Sequence, residues 1–363
     1  MTPVRSSGSR RLHAIEALRG FASGFVLLFH SLAAFEPAQL NPVLRAVHKF
    51  TQQGWLGVHM FFAISGWCIA ERLAAAYRRD EPIAGFLRER ALRIYPTYWA
   101  ALALTFAVRV VAVPFNHTFL AASFPAGVRG WFADLFLVNR YLSAPATIIV
   151  SWSLVYELGF YLLGSGGLLL RRKFVSSSAL AVLGLALCLW PLLGVNPRAT
   201  YVLGLWPDFF AGALAWWAAR SSSTGRTRFV AAALVALLAL VMMWPGGFGG
   251  EARVAALGTA ASLWFLSKRE RGAPPSGAMR ALGWVGAFSY SLYLIHLAVL
   301  SPFTNLAGRI VAPSSLAFCG VWLAALLISL ATGWALYHWV ESPFERWRKS
   351  HWSNRPAENR AAT

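Results

Sequence analysis

The stretch Ala14–Phe35, AIEALRGFASGFVLLFHSLAAF, decides how the rest of the chain is read. It is long enough to cross a bilayer as one helix, which takes about 20 predominantly apolar residues. Yet it holds Arg19 and His30, eleven residues apart. At ~1.5 Å rise per residue, that spacing is roughly 16 Å along the axis. A guanidinium and an imidazole are costly in hydrocarbon, so they face a protein-lined interior and mark a functional site. Arg5, Arg10 and Arg11 precede the stretch as they would precede a signal peptide. A cleavable apolar core runs only ~7–15 residues. This one is longer and holds Glu16 and Arg19, so it is expected to stay as a helix.

The pattern recurs along all 363 residues, of which 57% are hydrophobic and 13% charged. Soluble domains carry about 25% charged residues. With a mean hydropathy of +0.53, the chain reads as an all-α, polytopic transmembrane helix bundle. Spans are predicted at 13–35, 54–74, 94–113, 150–170, 178–195, 199–219, 228–245, 251–267, 284–304 and 314–340, ten in all. This divides the chain into a cytoplasmic N-terminal segment 1–12, a transmembrane domain 13–345 and a disordered cytoplasmic tail 346–363. If both termini are cytoplasmic, 24 of the 33 Lys and Arg fall on that side and seven on the other. That bias is the positive-inside rule. It also explains the net charge of +19 without nucleic acid, because the basic residues are short clusters between spans. Cys68, Cys188 and Cys319 lie inside spans at unpaired spacings, so neither a disulfide framework nor a metal site is expected. The segment 114–149 is the one long outer connection. Its apolar piece Gly130–Val138 holds Asp134 and is too short to cross, so an interfacial or re-entrant helix is expected.

Sidedness converts position into depth. Counted at 1.5 Å per residue, His30 and His59 lie roughly 8 Å below the outer surface, Glu157 roughly 10 Å and His296 roughly 12 Å, with Asp208 slightly deeper. Five titratable groups from five helices thus fall in one layer. Carboxylate beside imidazole is the pairing that orients a base, so His30 and Glu157 are the catalytic candidates. His59, Asp208, His296 and Tyr293 are candidates for holding substrate. Each lone imidazole has a plainer alternative, one interhelical hydrogen bond and nothing more. At the cytoplasmic end, Arg90 and Arg93 share a helix face and form a fork suited to phosphate. The small residues of Gly54–Gly66 signal tight helix packing.

Six segments in order resemble the acyltransferase-3 family of integral membrane O-acyltransferases. They are Ile15–Ala22 with His30, Gly57–Gly66, Arg90–Pro96, Trp152–Tyr161, Ser289–His296 and Val340–Pro343. The resemblance covers 13–345 and is to the short form without an appended soluble domain. It implies a bundle of about ten helices that moves an acyl group, most often acetyl from acetyl-CoA, onto a hydroxyl of a glycan, lipid-linked saccharide or glycosylated small molecule. By the same resemblance His30 matches the essential histidine and Arg19 its partner. Arg90 and Arg93 match the basic pair that handles the CoA donor, and Glu157 matches the acidic position. His59 stands where the family commonly has an acidic or apolar residue.

The expected protein is therefore a membrane acyltransferase of a bacterial inner membrane, with polysaccharide modification by O-acetylation as its role. No cofactor is bound permanently; acyl-CoA is the donor substrate. Membrane lipids surround the chain, and no nucleic-acid partner is expected. A polytopic transporter or flippase would also carry His, Glu and Asp within its helices, but it would usually show repeated halves with broken helices. No such symmetry is visible in the sequence.

Overall fold

The computed structural model describes residues 13–33, 41–112, 124–173, 175–190, 201–221, 223–242, 250–269, 275–310 and 315–352. Among them every regular element is helical. In chain order they are α1 (His13–Ala33), α2 (Pro42–Thr51), α3 (Leu56–Arg78), α4 (Ile83–Ala112), α5 (Gly127–Phe136), α6 (Asn139–Leu142), α7 (Trp152–Arg172) and α8 (Ser177–Leu187). There follow α9 (Tyr201–Gly204), α10 (Trp206–Ala219), α11 (Thr224–Met242), α12 (Gly250–Arg269), α13 (Gly277–Ala287), α14 (Ser289–Ile310), α15 (Ser315–Leu336) and α16 (Ser342–Trp352).

Among the described residues three helical stretches are long and apolar enough to cross a membrane: Ile83–Val111, Ile149–Arg172 and Cys319–His351. A fourth is obtained if α13 and α14 count as one span, bent by 66°. That bend corrects the straight span expected at 284–304, since the helix stops at Phe288 and restarts at Ser289. The span expected at 178–195 appears as α8, ending at Leu187, with 191–200 outside the described residues. The one expected at 199–219 is broken before Trp206, where Pro207 occupies the first turn of α10. Proline fits there because the first turn has no intrahelical use for its missing N–H.

Close approach of backbones sets which helices are neighbours. A Cβ on Gly20 would stand 1.9 Å from Leu282 O, and one on Gly286 would stand 1.8 Å from Glu16 O. α1 and α13 therefore touch backbone to backbone. α3 and α10 do the same through Gly66 and Gly212, whose added Cβ atoms would each stand 1.8 Å from an opposing carbonyl oxygen. Small residues are what permit such contact between apolar helices, where water supplies no driving force. The aromatic core beside them includes Phe62, Phe160 and Phe209, with the Phe160 and Phe209 rings stacked at 4.3 Å.

The expected re-entrant piece is α5, and Asp134 near its C-terminal end is fully buried. Its carboxylate accepts from Asn139 Nδ2 at 2.8 Å, from the Thr147 backbone N–H at 3.1 Å and from Thr147 Oγ1. These bonds tie 134, 139 and 147 into one compact lobe. The C-terminal expectation also changes. The segment 346–352 belongs to α16, held to the body by Arg348 Nη1 on Glu89 Oε1 at 2.9 Å. The expected segment 1–12 and the tail beyond 352 lie outside the described residues.

Candidate active site

Helices α1, α3, α4, α7 and α14 converge on a cavity of about 90 Å³ whose lining carries five charged groups: Arg19, Arg90, Arg93, Glu157 and Glu341. The sequence fork Arg90–Arg93 and the Arg19 of α1 thus meet in one chamber, although they are some seventy residues apart in the chain. Glu341 reaches it from a π-helical turn, Tyr337–Glu341, of the kind often found at functional sites. Arg19 Nε donates to Ser289 Oγ at 3.1 Å. Ser289 is the first residue of α14, so the break at Phe288 also brings the positive end of a helix dipole to the chamber. Arg90 donates to Glu89 at 2.6 Å, and Ser291 Oγ donates to Glu341 at 2.5 Å. Three guanidinium groups and two carboxylates lie on the lining, and Glu89 behind it pairs with Arg90.

Glu157 accepts from Tyr161 OH at 2.6 Å, one turn along the same helix. It does not hydrogen-bond His30, which corrects the expected dyad. Two groups at equal depth can still face different ways around their helices, and these do.

His30 instead meets His296. His296 Nε2 lies 3.1 Å from His30 Nδ1, with ring centroids 5.0 Å apart. His296 Nδ1 is 3.1 Å from Leu292 O, and His30 Nδ1 is 3.1 Å from Val26 O. A carbonyl oxygen only accepts, so both Nδ1 atoms carry hydrogens. In the neutral ring His296 Nε2 is then a lone pair, which accepts from His30 Nδ1–H. This assignment follows from the network, as proton positions generally must. It leaves His30 Nε2 with its lone pair and without a hydrogen-bond partner among the described residues. His296 is 1% exposed, whereas His30 is part-buried.

Tyr293 connects this pair to the chamber. It lines the cavity, its ring lies 6.2 Å from that of His296, and its hydroxyl contacts Val150 O at 3.0 Å and Ser153 Oγ at 2.9 Å. The His30 and His296 side chains themselves stand beside the lining, beyond Tyr293.

His59 and Asp208 form a separate set. His59 Nδ1 is 2.6 Å from Asp208 Oδ2, and Arg253 Nη1 reaches Asp208 Oδ1 at 2.6 Å. Arg253 Nη2 also donates to Gly204 O at 2.5 Å. His59 and Asp208 are each 1% exposed, so both carboxylate oxygens are occupied by protein inside a closed knot of α3, α10 and α12. Neither residue borders the arginine chamber. Among the described residues no group of three His, Cys, Asp or Glu is placed to hold a metal ion.

The sequence reading did not single out Glu341, Arg253 or Arg348. Glu341 lay in plain view within Val340–Pro343. Nothing in the sequence around Arg253 distinguishes it from a charge at the end of a span. Arg348 sits 8% exposed against Glu89 in a cluster with Arg72, Glu81 and Arg90.

Sequence comparison adds two findings. Residues 12–338 match the family model described as Acyltransferase domain, Acyl_transf_3. The chain is also similar to the exopolysaccharide production protein ExoZ of Rhizobium meliloti (strain 1021), 28% identical over 326 residues that cover 82% of this chain and 92% of that protein. No solved structure matches it significantly.

Proposed function

The chain belongs to the acyltransferase-3 family, and from that premise we propose that it transfers an acyl group, acetyl first of all, from acyl-CoA to a hydroxyl of an extracytoplasmic glycan. It is an integral membrane protein by family and by its long apolar helices. Similarity to a protein named for exopolysaccharide production supports a polysaccharide or its lipid-linked precursor as acceptor. Lys and Arg placement supports ten crossings with both termini cytoplasmic, in a bacterial inner membrane.

The observation that carries the reading is the His30–His296 pair, which leaves one basic nitrogen open and neighbours Tyr293 on the wall of a chamber lined by three arginines. In the proposed reaction the donor's phosphates dock on Arg90 and Arg93, with Arg19 further along the path. His30 Nε2 takes the proton of the acceptor hydroxyl as its oxygen attacks the thioester carbonyl carbon. The C–S bond breaks, and the departing thiolate recovers the proton from the imidazolium. His296 Nε2 and Val26 O share His30 Nδ1–H and so keep the ring in the tautomer with Nε2 available, the task expected beforehand of Glu157. No acyl-enzyme is required.

The test is incubation of the purified protein with acetyl-labelled acetyl-CoA and a chemically de-acylated exopolysaccharide. Label should enter the polysaccharide as an alkali-labile ester. Protein that binds the polysaccharide yet neither binds nor consumes acetyl-CoA would point to transport instead.

A further inference from the structure

Residues of α6, the segment that follows it and the first turn of α7 border a second cavity, more open and larger than the arginine chamber, at about 390 Å³. Its wall includes Asn139, Arg140, Ser143, Ser151, Trp152 and Val155, and carries no acidic residue. Ligand sites usually fall within ~300–1,000 Å³ and combine aromatic surface with a few placed polar groups. Asn139 Oδ1, on a residue of this wall, is buried without a hydrogen-bond partner among the described residues. Buried polar atoms left in that condition are uncommon, and a bound ligand is one of the things that satisfies them.

The position of the cavity is as informative as its lining. α7 is 21 residues long, so its two ends are roughly 30 Å apart. The cavity lies at the Trp152 end. At the far end, Arg172 donates to Glu81 O at 2.5 Å beside the ionic cluster that includes Arg90. The first turn of α7 is a partition with two faces. Ser151, Trp152 and Val155 border this cavity, while Ser153, Leu154 and Glu157 border the arginine chamber. The Trp152 ring meets Phe62, a lining residue of the chamber, edge to face at 6.3 Å. From the partition, Ser153 reaches Tyr293, whose ring neighbours that of His296.

We infer that this cavity is the acceptor subsite, and that it takes a pyranose unit of an anionic glycan. The assignment rests on the acyl-transfer reading for the word acceptor, but the glycan chemistry is local to the cavity. An indole packs against the C–H face of a sugar ring, and amide and hydroxyl groups bond to its hydroxyls. Arg140, whose guanidinium lies 6.0 Å from the Tyr156 ring, supplies the cation for a carboxylate substituent.

The experiment uses the full chain in detergent, with trigalacturonate as the acidic probe, maltotriose as the neutral one, and CoA titrated in parallel. Trigalacturonate should bind saturably and better than maltotriose. Ala146→Trp, which fills the cavity, should weaken it at least tenfold, and Arg140→Gln several-fold while narrowing the gap to maltotriose. CoA affinity should stay within twofold for both variants. No saturable trigalacturonate binding, or binding untouched by Arg140→Gln, overturns the proposal. So does a CoA affinity that falls in step, because the cavity would then belong to the donor path. Glycan binding that responds as expected in a protein that never binds CoA would uphold the subsite and sink the acyl-transfer reading.

Discussion

His59 and His30 are both imidazoles inside apolar helices, and their surroundings differ in one respect that matters. His59 faces a carboxylate whose second oxygen is taken by Arg253, so the charges close on one another. Among the described residues His30 bonds to another imidazole and a backbone carbonyl, and one of its nitrogens stays open. A closed set stabilises a helix contact and has no valence left for a substrate. An open set contributes less to the fold and can do chemistry. Cost in the membrane therefore marks a residue as selected for something, and the completeness of its partners says whether that is structure or function.

The largest effect that could break the comparison is at His30. His30→Ala should lower the acyl-transfer rate by about 10²–10⁴-fold, the contribution of a positioned general base. The melting temperature of the detergent-solubilised protein should barely move. A variant that keeps a substantial share of its activity would place the base elsewhere, with His296 next in line.

Asp208→Ala should reverse the pattern. It leaves Arg253 without its carboxylate, with only Gly204 O to bond, and breaking a buried pair costs about 3–5 kcal/mol of stability. Thermal unfolding should shift strongly, and whatever protein remains folded should have a near-normal KM for acceptor. Normal stability with a raised acceptor KM would return His59 and Asp208 to the substrate-binding role read from the sequence.

Part of the chamber's lining was legible in the sequence: Arg19 stood out as a charge within an apolar stretch, Arg90 and Arg93 as a fork on one helix face, and all three border the chamber. His30 stood out because an imidazole at that depth is costly. The depth argument also had a fault. It put five groups in one layer and paired His30 with Glu157. Depth fixes one coordinate of three, and the other two are the direction a side chain takes around its helix and the identity of the neighbouring helix. Here those depend on backbone contacts such as Gly20 with Leu282 and Gly66 with Phe209, which no local pattern predicts. The break at Phe288 was hidden for a related reason. The run Gly286–Ala287–Phe288–Ser289 contains no proline, and a Gly286 pressed against the Glu16 carbonyl is visible only once both helices are in place.

The arginine chamber allows a finer comparison within the open site. Arg93→Ala removes charge-assisted bonds to a donor phosphate, each worth about 1.5–3 kcal/mol. CoA affinity should fall by roughly ten- to a hundredfold on that scale. The rate at saturating donor should change much less, since the base is untouched. Titration of CoA against the variant decides the matter. An unchanged affinity would reduce Arg93 to a topology determinant.

The smallest effect is expected at Glu157, and it discriminates most sharply between the two candidate partners of His30. Glu157→Gln keeps an oxygen that can accept from Tyr161 OH and removes only the negative charge from the chamber. One neutral hydrogen bond is worth about 0.5–1.5 kcal/mol, so the rate should drop by no more than roughly tenfold. If Glu157 oriented His30, as depth alone implied, the loss would approach that of His30→Ala. The matching experiment is on the other partner. His296→Ala removes one of the two acceptors that share His30 Nδ1–H, leaving Val26 O alone to hold the ring. The rate should then fall by about 10–100-fold, the scale seen when outer partners of a functional imidazole are removed. His296→Gln, whose amide oxygen can still accept that hydrogen, should recover part of the loss with KM unchanged. A Glu157→Gln variant more damaged than His296→Ala would restore the carboxylate to the dyad and leave the imidazole pair as packing.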